Sequence, residues 1–173
     1  MTVRLQDHIS RQFDGFFSFL SEIGNAEVVG IVLGLILLFR KKIGGIIILV
    51  AFGAFHLIEI YGKTFVHHLP PPHFMLRTET LVNFPQFYVS AQNSYPSGHS
   101  ARAWFITTII FFMVYKSKRL SKMTKYIIYA VLLLYNITMV VSRVYLGEHW
   151  TSDVIGGSLL GFSFALLSSF VLL

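Results

Sequence analysis

Two short polar strings interrupt the apolar second half of this chain: Pro96-Ser97-Gly98-His99, and Ser142-Arg143 followed by His149 and Asp153. They set two imidazoles, a guanidinium, a carboxylate and a glycine beside stretches that read as membrane helices. Polar groups are costly there and ordinarily have a task. His149 and Asp153 are four positions apart, so a helix starting near His149 puts both on one face. A carboxylate against an imidazole fixes its tautomer and favours the cation, which suits a ring that must carry charge in a transition state. Arg143 offers a planar fork of donors matched to phosphate oxygens. Ser97 stands where a helix N-cap would, Pro96 fixes the entry, and Gly98 lets the backbone approach an anion attracted by the free N–H groups of a first turn. The chemistry this set suits is phosphoryl transfer through a histidine. The plainer reading has Arg143 snorkelling at a span end while His149 and Asp153 cap the final helix beside an interfacial Trp150.

The elements that must hold these residues are membrane helices. The chain has 173 residues, 54% of them hydrophobic, with 13% charged and only 8 acidic, and a mean hydropathy of +0.66. An ordinary soluble domain is about 25% charged. The length suits one domain. Cysteine is absent, which removes disulfide frames and thiolate metal sites. The net charge of +6 does not indicate nucleic acid, because of where the basic residues lie. Arg40, Lys41 and Lys42 form one short loop, and Lys116, Lys118, Arg119, Lys122 and Lys125 another. Both flank apolar stretches, the positive-inside pattern of cytoplasmic connections. The first dozen residues mix Arg4, Asp7, His8 and Arg11 and show no signal-peptide core.

A span needs about 20 mostly apolar residues. Five segments qualify or approach this: residues 26–39, 43–61, 99–115, 126–144 and 154–173. The predicted fold is therefore an all-α, polytopic transmembrane bundle of about five spans over residues 26–173, in a single domain that takes in residues 1–173. Residues 1–22, with Phe13, Phe16, Phe17 and Leu20 at helical spacing among charged residues, read as an interfacial amphipathic helix. A polar tail running into the first span is the alternative. With both basic loops cytoplasmic, residues 62–98 and the turn within 142–153 face the other side, so one extracytoplasmic site in the cytoplasmic membrane is expected. Pro70-Pro71-Pro72 stiffens the long connection, and Phe74, Phe84, Phe87, Tyr88 and Tyr95 are placed to seat it at the interface.

Together, Pro96-Ser97-Gly98-His99 and Ser142-Arg143, five residues, His149, three residues and Asp153 resemble the second and third signatures of the type 2 phosphatidic acid phosphatase superfamily. The resemblance runs from near Lys63 to Asp153. It implies that His149 is the nucleophile forming a phosphohistidine, that Asp153 orients it, and that His99 is the general acid and then the base. It makes Lys63, Ser97, Gly98 and Arg143 the phosphate cradle. The family's first signature, a lysine, six residues and Arg-Pro, is met at Lys63 and Pro71 but has Pro70 where the arginine belongs. Arg77 is the expected replacement and His68 the second candidate. No metal or cofactor is implied: cations neutralise the phosphoryl charge, and Glu79, Glu148 and Asp153 are too few for an all-oxygen magnesium site.

The expected activity is metal-independent hydrolysis of a lipid phosphate or diphosphate, such as undecaprenyl diphosphate, phosphatidylglycerophosphate or phosphatidic acid. The partners are the bilayer and its lipid; the oligomeric state is not set by the sequence. A catalytically weak lipid-phosphate-binding membrane protein is the alternative, motivated by Pro70, and a small membrane scaffold is a third. His67 reads as a solvated loop residue. Arg102, His56, Glu59 and Glu148 stay unassigned between site and structural ion pairs.

Overall fold

Backbone amides in lipid must find partners within their own segment, so long apolar stretches have helices as their solution. In the computed structural model, which describes residues 2–39, 42–78 and 93–172, seven α-helices follow one another and no strand occurs among the described residues. They are α1 (Thr2–His8), α2 (Asp14–Ile23), α3 (Ala26–Phe39), α4 (Lys42–Phe65), α5 (Gly98–Lys116), α6 (Lys122–Tyr145) and α7 (Thr151–Leu172). The all-helical bundle matches expectation. Arg40, Lys41, Glu79, Phe84, Phe87 and Tyr88, used in the sequence reading, lie outside the described residues.

Three helices are long and apolar enough to cross a bilayer alone, with spans at Gly44–Phe65, Lys122–Tyr145 and Thr151–Phe170. Arg11–Ile23 and Val28–Leu35 make a fourth candidate as a pair bent by 45°. The remaining expected span, residues 99–115 in α5, is less apolar and occupies the middle of the bundle. Nearly every residue of its first half, from Gly98 to Ile109, is buried, and it packs chiefly on α7 and then α6. Lipid is met instead by the outer faces of α4, α6 and α7, which expose Val50, Leu57, Val131, Leu134, Leu159 and Phe170 among others.

Small residues set the closest contact. On α7, Gly157 and Gly161 lie one turn apart. A Cβ at the first would overlap the Ser97 carbonyl, and at the second the Ala101 carbonyl. Such stripes let helix backbones approach in membranes, where packing replaces the hydrophobic drive between helices. Phe55, Phe105, Ile109 and Ala165 fill the adjoining core. Asn136 donates to Thr107 Oγ1 at 2.8 Å, linking α6 to α5.

The N-terminal segment is not one helix over residues 1–22. It breaks after His8, passes a single 3₁₀ turn at Arg11–Phe13 and resumes at Asp14. Phe13, Phe16 and Phe19 face outward, as an interfacial helix requires. Phe17 instead packs on Tyr145, with ring centroids 4.9 Å apart, and the Tyr145 hydroxyl donates to the Asp14 carboxylate. The segment is thereby docked onto the end of α6. Filling the α5–α7 contact is the direct test of this packing: Gly161→Val should destabilise the protein by about 1–3 kcal/mol, read as a lower melting temperature in detergent. An unchanged melting temperature would mean that α7 can move away from α5 without loss.

Candidate active site

The signature residues at the polar end of the bundle come from three chain segments: the end of α4, the entry to α5, and the turn from α6 to α7. The two motifs are joined by main chain, Ser97 N–H donating to the Asp153 carbonyl at 3.0 Å. Asp153 is fully buried. Its Oδ2 accepts from the Trp150 N–H at 3.0 Å and lies 3.3 Å from His149 Nδ1. The first of these is the reach-back of a capping box, with Asp153 in the third helical position. The predicted i,i+4 face is therefore real, and the same oxygen that starts α7 orients the imidazole. With Nδ1 on the carboxylate, Nε2 is the ring atom free to react.

Burial holds the His149 ring well below its ordinary pKa, at about 4, with the Arg143 charge adding to the effect and the Asp153 hydrogen bond opposing it. The ring is consequently neutral at pH 7, with its lone pair available. His99 and His149 stand within electrostatic range of one another and of Arg143 and Lys63. Ser97 is fully buried, but its hydroxyl makes no capping bond; it accepts from Ser100 Oγ at 3.2 Å. The expected side-chain cap is absent there, and the first-turn amides of α5 are left to other acceptors.

Lys63 and Arg143 of the expected cradle each have a carboxylate neighbour, as does Arg102. Lys63 Nζ lies 3.0 Å from Glu59 Oε1, and Arg102 Nη1 lies 3.2 Å from Glu59 Oε2. Arg102 Nη1 is also 3.4 Å from His56 Nε2. Because arginine only donates, that nitrogen must accept. The His56 Nδ1–H then donates to the Phe52 carbonyl at 2.8 Å. Gly98 is tied to the same cluster, since a Cβ there would strike the Glu59 carboxylate and Arg102 Nη1. Arg143 is buried, with one terminal nitrogen on Glu148 Oε2 and the other on Ser21 Oγ.

His68 and Arg77, the two candidates for the arginine missing at Pro70, separate in space. The Arg77 guanidinium donates to the Tyr145 hydroxyl at 3.3 Å and to the Gln6 carbonyl at 3.2 Å, and lies 5.2 Å from the centroid of the Tyr145 ring. It is directed to α1 and the end of α6, where Gln6 also holds the Met75 and Tyr145 carbonyls. The 62–98 connection reaches Asp153 through His68, whose Nδ1 lies 3.0 Å from Asp153 Oδ1 and 3.2 Å from Ser94 Oγ. That carboxylate oxygen is in ion-pair range of the ring. Asn93 and Ser94 brace the histidine backbone, and Trp150 Nε1 holds the Leu69 carbonyl at 2.8 Å.

Sequence reasoning passed over Ser21, Gly24 and Asn25. Asn25 Oδ1 lies 2.8 Å from His99 Nε2, and the Gly24 carbonyl accepts from Arg102 Nε at 2.9 Å. A Gly-Asn pair marks a helix end, so the break between α2 and α3 was visible. Its partner 74 positions away carries no such signal.

This is an integral-membrane helical bundle with a histidine–carboxylate pair, a second histidine and several cations gathered at one end. Residues 41–172 match the PAP2 superfamily, and the chain belongs to it. Similar proteins include an undecaprenyl-diphosphatase of Sulfolobus acidocaldarius, 34% identical over 157 residues, covering 90% of this chain and 68% of the relative. Another is phosphatidylglycerophosphatase B of Bacillus subtilis, 28% identical over 123 residues, 71% of this chain and 55% of the relative's length. Two crystal structures share the fold. A transmembrane PAP2-type phosphatidylglycerolphosphate phosphatase from Bacillus subtilis superposes with a TM-score of 0.75 at 21% identity, over 98% of this chain and 81% of that one. Aquifex aeolicus LpxE gives 0.71 at 23% identity, over 98% and 92%.

The burial of His149 sets a measurable expectation. In protein labelled at histidine nitrogen, the His149 ring should stay neutral as pH falls through 6.5 and protonate only near 4. A midpoint at 6 or above would mean that the ring is solvated rather than buried.

Proposed function

We propose that this protein hydrolyses a lipid phosphate or diphosphate without a metal, through a phosphohistidine. The observation that carries the reading is the neutral, buried His149, oriented by Asp153 and sharing its end of the bundle with His99, Arg143 and Lys63. His149 Nε2 attacks phosphorus in line as the bond to the leaving oxygen breaks, and His99 delivers a proton to that oxygen. Water then attacks the phosphohistidine while His99 takes its proton, and the P–N bond breaks to return the lone pair to Nε2. Asp153 stabilises the imidazolium that forms as Nε2 bonds to phosphorus, and Arg143, Lys63 and the Gly98 amide stabilise charge on the transferring group.

The apolar outer faces of α4, α6 and α7 support a lipid substrate whose tail stays in the bilayer while its headgroup reaches the polar end. Undecaprenyl diphosphate and phosphatidylglycerophosphate are supported by the names of the relatives, and phosphatidic acid shares their chemistry. The basic loop from Lys116 to Lys125 joins the ends of α5 and α6 opposite those that carry His99 and Arg143, which supports an extracytoplasmic active site under the positive-inside rule.

Phosphate release by the purified protein in detergent, with EDTA, on these three lipids tests the reading. Activity should survive chelation, choose among the headgroups and fall by about 10⁴-fold or more in His149→Ala. Retained lipid binding without phosphate release by the wild type would favour a binding protein instead. In the same assay, His68→Ala should lower turnover by on the order of tenfold by loosening the support of Asp153. Arg77→Ala should act mainly on thermal stability. The reverse pattern would return the role of the missing arginine to Arg77.

A further inference from the structure

The family match begins at residue 41, yet the break between α2 and α3 reaches the site. Asn25 stands just before α3, where an asparagine side chain by default turns back on the helix's first N–H groups. Here Oδ1 lies 2.8 Å from His99 Nε2, while Nδ2 donates to Glu22 Oε2 at 2.8 Å. The side chain is buried. Glu22 decides which way the amide faces: a rotated amide would set its oxygen against a carboxylate, which only accepts. The oxygen is therefore turned to His99, and His99 Nε2 must carry a proton to meet it. The ring is also boxed in. A Cβ at Gly24 would come within 3.1 Å of His99 Cδ2 and 2.8 Å of Met139 Cε, so the neighbouring backbone lies against the imidazole.

We infer that Asn25, itself held by Glu22, is the positioning residue for the proton-transferring histidine, locking the His99 tautomer so that Nδ1 is the atom that gives and takes the catalytic proton. The inference rests on the phosphatase reading. In the first step His99 acts as the imidazolium, protonated at both nitrogens, and the proton on Nδ1 passes to the departing oxygen as the P–O bond breaks, leaving a neutral ring with its proton on Nε2 against Asn25. In the second, Nδ1 accepts a proton from water as the water oxygen bonds to phosphorus and the P–Nε2 bond to His149 breaks. Asn25 and Glu22 exchange no proton in either step. The N-terminal helices, which carry none of the family's signature residues, thus supply the element that makes His99 a directed acid.

The leaving group provides the test. An alkyl phosphate needs its departing alkoxide protonated, whereas p-nitrophenyl phosphate releases a stable phenolate that does not. In kcat/KM, which reports the first phosphoryl transfer, Asn25→Ala should slow an alkyl phosphate on the order of 10²-fold and the nitrophenyl ester only slightly. The exchanged pair Asn25→Asp with Glu22→Gln keeps an acceptor on His99 and a donor behind it, and should restore the wild-type ratio of the two substrates. Equal losses on both esters in folded Asn25→Ala, or no loss on either, would overturn the role of Asn25. So would failure of the exchanged pair, if folded, to restore the ratio. Wild-type protein that hydrolyses neither ester would overturn the phosphatase reading itself, a result separate from any of these.

Discussion

A carboxylate without water costs several kcal/mol unless donors surround it, and Asp153 is fully buried. What satisfies it also builds the site. The Trp150 N–H that it accepts begins α7, the His149 ring is oriented beside it, and His68 ties in the long connection. Its own carbonyl takes the Ser97 N–H and so fixes where α5 starts. Helix initiation, imidazole orientation and the docking of two distant segments thus hang on one residue. Changing Asp153 disturbs architecture and chemistry together, so its loss cannot be read as catalytic alone.

The second constraint is the approach of α7 to α5. Gly157 and Gly161 bring the backbones together with no room for a Cβ, and this sets His99, at the start of α5, against the turn that carries His149 into α7. Polar residues within the bundle are paired across helices in the same way, Asn136 with Thr107 and Glu59 with Arg102. Outside, the apolar faces need no such pairing because lipid is their partner.

Much of this was legible from residue order. The i,i+4 spacing of His149 and Asp153, the polar entry at Ser97-Gly98-His99 and the long apolar stretches each specify local geometry, and local geometry is what a sequence states most directly. Glu59 and His56 stood out as ionisable residues in a span. The pairing of Glu59 with Arg102, 43 positions on, depends on how α4 and α5 meet. Arg77 illustrates the limit: it is a cation in the right connection, but its direction is set by Tyr145 and Gln6. Asn25 and Ser21 were invisible because their roles arise only when the N-terminal helices dock against His99 and Arg143.

The carboxylates beside the cradle cations have a further consequence. Glu59 lies against Lys63, and Glu148 against Arg143, so under the proposed function an arriving phosphate would displace one anion in favour of another instead of meeting bare charge. Binding then resembles ion exchange, in which most of the attraction between cation and phosphate is offset by the carboxylate released. On that reading free phosphate would be held weakly and released readily, with the lipid tail supplying the affinity and the headgroup the reaction.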